Sequence, residues 1–262
     1  MTRAFDPAPA AALLAQAMTS GKRITEIPEQ ARPQTIDDGY AVQDRIAGVT
    51  GHPLGETPAG WKLGLGSANA MKGANLSAPL IGRVFKPRLH QSGAAVPAPA
   101  SAMALIEIEI AFTLARDVPP SETVANPLDV VASANLVSEI VLSRFVDRRV
   151  VGLPSFAADS VGFHALVIGP VVDPVRIGAM ARSLAVTMDG KLAVEGLTGD
   201  DAIDPVVMLG ALMAHARQRG ITLRKGEIVT TGTLSKPFDA PVPCTVEATT
   251  EAGSVGFSLK AI

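Results

Sequence analysis

The chain has a single cysteine, Cys244, among its 262 residues, which excludes an internal disulfide and any cysteine-rich metal site. That usage fits a reducing cytoplasm, the expected compartment. One tryptophan and one tyrosine leave no aromatic platform for stacking bases or sugars. Net charge is only −2 and no basic tract occurs, so neither nucleic acid nor an anionic membrane is an expected partner. No run of about 18 apolar residues is free of charge, so no membrane span is expected. Asp6-Pro7 precedes a brief alanine-rich run, which reads as a helix start and not as a signal peptide. A G-x-S-x-G motif, a P-loop and a glycine-rich dinucleotide fingerprint are all missing. His52, His90, His164 and His215 lack metal-ligand spacing and read as structural or surface residues.

What is present is a chain that is 47% hydrophobic and 18% charged, which favours a substantial core over disorder. Its first third reads as helical and irregular. Asp6 and Pro7 start one helix running to about Ser20, and Thr35 with Asp38 caps a second from Ile36 to about Val49. A short strand follows at Trp61–Leu65. Beyond Gly93 strands dominate, at Leu105–Leu114, Leu136–Leu142, Phe163–Ile168, Ile228–Thr231, Thr245–Thr249 and Ser254–Leu259. Asp189-Gly190 joins Leu184–Met188 to Lys191–Val194 as a hairpin. A helix from Pro205 to about Arg219 ends at Gly220. The expected organisation is one domain over residues 1–262, with an N-terminal helical portion to about residue 90 and a β-rich part over 91–262.

The chemistry is concentrated in Ile106-Glu107-Ile108-Glu109-Ile110. Strand side chains alternate, so Glu107 and Glu109 share a face, roughly 6.5–7 Å apart along the backbone. Glu139 interrupts a second apolar run, Leu136–Leu142. Three carboxylates in apolar strands need a compensating charge, and a hard divalent cation, Mg²⁺ or Mn²⁺, suits an all-oxygen ligand set. The plainer alternative is a half-exposed strand with solvated glutamates, or Glu139 as a partner of Arg144. Lys62, in an apolar strand, either snorkels to solvent or sits in a pocket as a cationic donor to a carboxylate or enolate, or as a proton carrier if its pKa falls. Asp159-Ser160 lies in a loop over 155–162, and Asp159 there either serves a site or satisfies its own turn. Thr231-Gly232-Thr233 either offers hydroxyls and N–H groups to a carboxylate or only turns the chain.

Six segments in order resemble the 2-keto-4-pentenoate hydratase / 4-oxalocrotonate decarboxylase branch of the fumarylacetoacetate hydrolase superfamily. They are Asp38-Gly39-Tyr40-Ala41-Val42-Gln43, Gly60-Trp61-Lys62-Leu63-Gly64-Leu65, Ile106 to Phe112, Ser138 to Arg144, Ala158-Asp159-Ser160 and Gly226 to Gly232. The resemblance implies an α+β fold, a mixed β-roll with a helical N-terminal portion, and a homo-oligomer. It implies that Glu107, Glu109 and Glu139 bind Mg²⁺ or Mn²⁺, and that Lys62 and Asp159 act in catalysis. Ser160, Thr231 and Gly232 would bind substrate. The implied activity is a hydro-lyase that hydrates 2-hydroxypenta-2,4-dienoate or a close analogue to a 4-hydroxy-2-oxo acid. Decarboxylation of a 4-oxalocrotonate type, acylpyruvate hydrolysis and a non-catalytic partner subunit are the alternatives. The chain departs from the family pattern at Leu80, where many hydratases have an acid, at Ser160 in place of asparagine, and at Leu234–Phe238. In that last stretch Lys236 is a candidate for a second substrate carboxylate.

Overall fold

Caps and glycines begin and end the helices where the sequence predicts. The structure, a computed structural model, describes residues 5–48, 56–100 and 102–262; His52 and the expected helix end at Val49 lie outside them. Asp6 accepts the Ala8 N–H at 3.0 Å at the start of α1 (Ala8–Ser20). The Thr35 hydroxyl accepts the Asp38 N–H at 3.1 Å and the Asp38 carboxylate accepts the Thr35 N–H at 2.9 Å, opening α2 (Ile36–Ala47). The chain continues through β1 (Pro58–Gly64), α3 (Ala68–Gly73), β2 (Leu80–Phe85), β3 (Leu89–Gln91), β4 (Ala95–Ala98), β5 (Met103–Leu114) and β6 (Val131–Val141). Next come α4 (Gly152–Ala158), β7 (Phe163–Val172), α5 (Ile177–Ser183), β8 (Ala185–Met188), β9 (Lys191–Glu195) and α6 (Pro205–Gln218). The last strands are β10 (Ile228–Thr233), β11 (Phe238–Pro241), β12 (Cys244–Thr250) and β13 (Gly253–Ala261).

The larger sheet runs β2-β1-β10-β5-β6-β7-β3, with β11 also paired to β5; the smaller runs β4-β13-β12-β8-β9. Pairing is mixed: β1 with β10, β3 with β7 and β4 with β13 are parallel, while β5 with β6 is antiparallel. The α+β expectation and the mixed sheet are therefore met. Two readings need correction. The first third is less irregular than expected, since β1 and β2 form one end of the main sheet. The expected loop over 155–162 is helical from Gly152 to Ala158, followed by a tight turn.

The two faces of β5 meet different surroundings. Ile106, Ile108, Ile110 and Phe112 belong to the core shared with Val246, Val255 and Phe257 of the smaller sheet. Ala111 of the opposite face joins a second core with Leu14, Ile46, Phe85 and Phe163, beneath α1 and α2. Glu107 and Glu109 share the Ala111 face by alternation. They are held between a rigid sheet and the helical layer, away from the smaller sheet. Among the described residues no helix is long and apolar enough to cross a membrane.

Candidate metal centre

The antiparallel register of β5 and β6 sets Glu107 directly opposite Glu139. Glu109 lies one step along the same face of β5. One carboxylate oxygen from each of the three lies within 4.8 Å of the others. Glu109 and Glu139 are fully buried, and Glu107 is half-buried. The reading of these residues as solvated surface glutamates fails on that burial. Glu139 Oε2 and Glu109 Oε1 have no hydrogen-bond partner among the described residues, and Glu139 Oε1 meets only the Lys62 ammonium. Unsatisfied buried carboxylate oxygens are costly and call for a missing partner.

Glu109 is aimed by β10. Its Oε2 accepts from the Thr230 hydroxyl and from the Gly232 N–H at 2.8 Å, which leaves Oε1 turned to the other glutamates. This geometry depends on an irregularity in β10: the register with β5 shifts between Thr230 and Thr233, and Gly232 has φ +91°. A left-handed residue at that point favours glycine. The family resemblance implies a substrate role for Thr231 and Gly232. In the structure the Thr231 hydroxyl donates to the Ile110 carbonyl at 2.8 Å, and Gly232 holds a glutamate. The side chain that contacts Glu109 is that of Thr230, a residue for which the sequence carries no signal beyond the Thr230-Thr231 pair; the bulge decides between the two.

Lys62 joins the same face from β1. It is 1% exposed, so the snorkelling alternative is excluded. Its Nζ lies 2.9 Å from Glu139 Oε1 and donates to the Val161 carbonyl at 3.4 Å. Burial pulls its pKa down, but Glu139, Glu107 and Glu109 outweigh that, and the ammonium is held above its ordinary value. Burial, with the neighbouring carboxylates, lifts Glu109 well above the usual carboxylate range. Glu139 rises to about 7, driven by burial and opposed first by Lys62. One ammonium therefore does not neutralise three close carboxylates.

Asp159 stands apart from this group. Its carboxylate accepts from the Ser143 hydroxyl at 2.6 Å, from the Arg144 N–H at 3.0 Å and from Arg144 Nε. Arg144 thus pairs with Asp159 and not with Glu139. With these bonds Asp159 anchors the turn that follows. Ser160, Val161 and Gly162 all have positive φ, at +49°, +54° and +75°. Such backbone costs on the order of 1–3 kcal/mol per non-glycine residue and persists where surroundings fix it. The turn presses on β2 at Gly82, where a Cβ would lie 2.4 Å from the Ser160 carbonyl oxygen and 2.9 Å from Lys62 Cγ. Leu80 shares that face and packs with Val161 and Phe156.

Three oxygens within 4.8 Å suit a hard cation, because ligands at about 2.0–2.6 Å from one ion lie no more than roughly 4–5 Å apart. The all-carboxylate set, together with orphaned oxygens facing inward, fits Mg²⁺, Mn²⁺ or Ca²⁺ and not a soft metal.

A family profile described as "Fumarylacetoacetate (FAA) hydrolase C-terminal" matches residues 64–253. The 2-keto-4-pentenoate hydratase of Paraburkholderia xenovorans (strain LB400) is 27% identical over 86% of this chain and 84% of its own length. That of Burkholderia vietnamiensis (strain G4) is 28% identical over 86% of both. Among solved structures, a 4-oxalocrotonate decarboxylase from Pseudomonas putida G7, complexed with magnesium and adipate, superposes with a TM-score of 0.78 at 17% identity over 97% of each chain. At that identity the likeness is one of fold.

Proposed function

The chain belongs to the fumarylacetoacetate hydrolase family, and from that premise we propose that it is a metal-dependent lyase that hydrates 2-hydroxypenta-2,4-dienoate or a close analogue to a 4-hydroxy-2-oxo acid. The observation that carries this reading is the buried Glu107/Glu109/Glu139 triad with its unsatisfied inward oxygens beside Lys62. The hydratases similar over most of the chain, and a fold neighbour crystallised with magnesium and a dicarboxylate, support it. The reading takes residues 1–262 as one domain and the protein as a cytoplasmic homo-oligomer, which sedimentation of the purified protein tests.

Glu107, Glu109 and Glu139 would hold Mg²⁺ or Mn²⁺. When bound, such an ion supplies Lewis acidity toward the carboxylate and C2 oxygen of the substrate, favouring the enolate over the ketone. The protein's part is to keep that place dry, charged and rigid. Of the three N–H groups of the Lys62 ammonium, Glu139 and the Val161 carbonyl take two, which leaves the third for the substrate. It is the group available to donate to, or stabilise, the oxygen on which charge develops as the dienol ketonises and water adds to the enone. Asp159 acts on Lys62 through the 160–162 turn and serves as a positioning residue.

The test is turnover of 2-hydroxypenta-2,4-dienoate followed by ultraviolet absorbance, with the product identified by NMR. Mg²⁺-dependent formation of the 4-hydroxy-2-oxo acid supports the reading, and unchanged substrate at saturating Mg²⁺ contradicts it. A second reading, vinylogous decarboxylation of a 2-oxo-enedioate, is favoured by one observation. Leu80 occupies the Lys62 face and packs against Phe156 and Val161, so at this position no acid stands to handle water. Loss of CO₂ passes through the same dienolate and needs no such acid. Leu80→Asp is therefore expected to raise hydration relative to ketonisation by roughly tenfold, short of the 10²–10⁴ of a fully positioned acid or base. An NMR product ratio that does not move, or moves the other way, means another group handles the water.

The carboxylate pKa values predict how the metal-free protein responds to pH. Glu139 titrates near 4.5 when unfolded and about 7 when folded. A raised folded value means stability that is complete below pH 4.5 and lost as pH rises toward 7 and beyond. Glu109 shifts in the same direction. Lys62 is also raised, but its stabilisation is lost only above pH 10.5. The melting temperature in EDTA should therefore fall between pH 5 and 8, while the increment from added Mg²⁺ or Mn²⁺ should grow. A flat profile with no metal increment at pH 8 would contradict the buried-triad account.

A further inference from the structure

The exposure of β5 gives the glutamate site a direction. Along the face that carries the triad, Glu109 is buried, Glu107 and Leu105 are half-buried and Met103 is exposed. The way out of the site thus runs along the strand from Glu109 past Leu105. On β6, Val141 pairs with Leu105 just as Glu139 pairs with Glu107. Asp239 of β11 pairs with Leu105 from the other side. Leu105, Val141 and Asp239 line a cavity of about 410 Å³ that also takes in Arg23, Asp147, Arg148 and Arg149. Its near wall is one strand step from the glutamates, roughly 6.5–7 Å, comparable to the span of a short dicarboxylate.

The cavity is apolar on its strand floor and cationic at its rim, with three guanidiniums against two carboxylates, Asp147 and Asp239, for a balance of +1. The three arginines are not equivalent. Arg149 is exposed and paired with Asp147 at 2.9 Å. Arg23 is spent on backbone, donating to the Ser143, Phe145 and Val146 carbonyls. Arg148 is half-buried, and its guanidinium carbon sits 5.6 Å from the Phe156 ring centroid. Among the described residues it makes no close ion pair and no hydrogen bond, and Asp147, the acid whose charge reaches it, is already paired with Arg149. Phe156 in turn packs with Leu80 and Val161, the residues beside Lys62. Lys236, considered from the sequence for a second carboxylate, is exposed and does not line this cavity.

We propose that Arg148 is the specificity residue for the substrate's tail: with the reacting end at the triad, it selects analogues that carry a carboxylate at the far end, in this cavity, over those that do not. This rests on the lyase reading above and adds to it the charge of the tail. A guanidinium holds its five donors in one plane and can meet a carboxylate side-on, which a lysine would not reproduce.

The test is calorimetric binding of two unreactive 2-oxo acids of equal length, 2-oxoadipate and 2-oxohexanoate, to the Mg²⁺-loaded protein, in wild type, Arg148→Met and Arg148→Lys. Wild type should bind 2-oxoadipate tighter than 2-oxohexanoate by roughly tenfold or more, the gain of a charge-assisted pair. Arg148→Met should bring the two affinities together without changing that for 2-oxohexanoate, and Arg148→Lys should keep part of the difference. Equal affinities in wild type, or a preference that survives Arg148→Met, would overturn the proposal while leaving the lyase reading intact. If neither acid binds with Mg²⁺ present, the lyase reading fails and this proposal with it. The wild-type comparison decides even if a variant does not fold.

Discussion

Replacing Glu109 by glutamine is expected to abolish divalent-cation binding and to lower turnover by roughly 10³-fold, since several kcal/mol of charge stabilisation is at stake and each 1.36 kcal/mol is tenfold. The reason lies in how Glu109 is held. Its Oε2 accepts from the Thr230 hydroxyl and the Gly232 N–H. In the variant the amide oxygen keeps those two bonds, because the NH₂ group cannot accept them. The NH₂ is then turned toward Glu107 and Glu139, where it donates to them and ligates nothing. Removing one of three mutually repelling carboxylates should leave the metal-free fold intact, with its melting temperature at pH 8 unchanged or raised. Circular dichroism and Mn²⁺ titration check both halves. A variant that still binds Mn²⁺ like wild type would remove Glu109 from the site.

Lys62→Met carries the second largest effect, and it divides between stability and rate. The ammonium is buried beside Glu139 at 2.9 Å, so its removal leaves a buried carboxylate unpaired. Breaking such a pair costs about 3–5 kcal/mol, which here should be felt at pH 8 without metal. At pH 5 the loss should be smaller, because Glu139 takes up a proton more readily once its cation is gone. A bound divalent cation should restore most of the stability. Activity should not return with it, and a deficit of roughly 10²–10³ is expected from loss of the cationic donor to the developing oxyanion. Denaturant melts with and without Mg²⁺, beside kcat on the dienoate, separate the two roles. Recovery of both stability and kcat on adding metal would make Lys62 a charge balance and nothing more.

The site was legible to the extent that it broke local pattern. Glutamates in an alternating Ile/Glu strand and a lysine next to the chain's one tryptophan conflict with burial, and such conflicts mark functional positions. The strands themselves were readable by alternation, and the β8–β9 hairpin by Asp189-Gly190. What stayed hidden depends on contacts distant in sequence. Asp159 looked available because its partner Arg144 is fifteen residues away on another segment. The choice of Thr230 over Thr231 rests on a bulge between β10 and β5. Strand β2 did not read as a strand because all six of its residues are buried, leaving no alternation, and Gly82 interrupts it. Arg148 carried no signal at all, since an arginine in a charged segment reads as solvated until Phe156 is seen beneath it.

The central claim is that Glu107, Glu109 and Glu139 form one hard-cation site. Equilibrium dialysis of Mn²⁺ against the metal-free protein, with electron paramagnetic resonance of the bound ion, tests it most directly. The expected result is one high-spin Mn²⁺ per chain in oxygen coordination, displaced by excess Mg²⁺ and absent when all three glutamates are replaced by glutamine. An Mn²⁺ that stays bound in the triple variant, or none bound to wild type at pH 8, would contradict it.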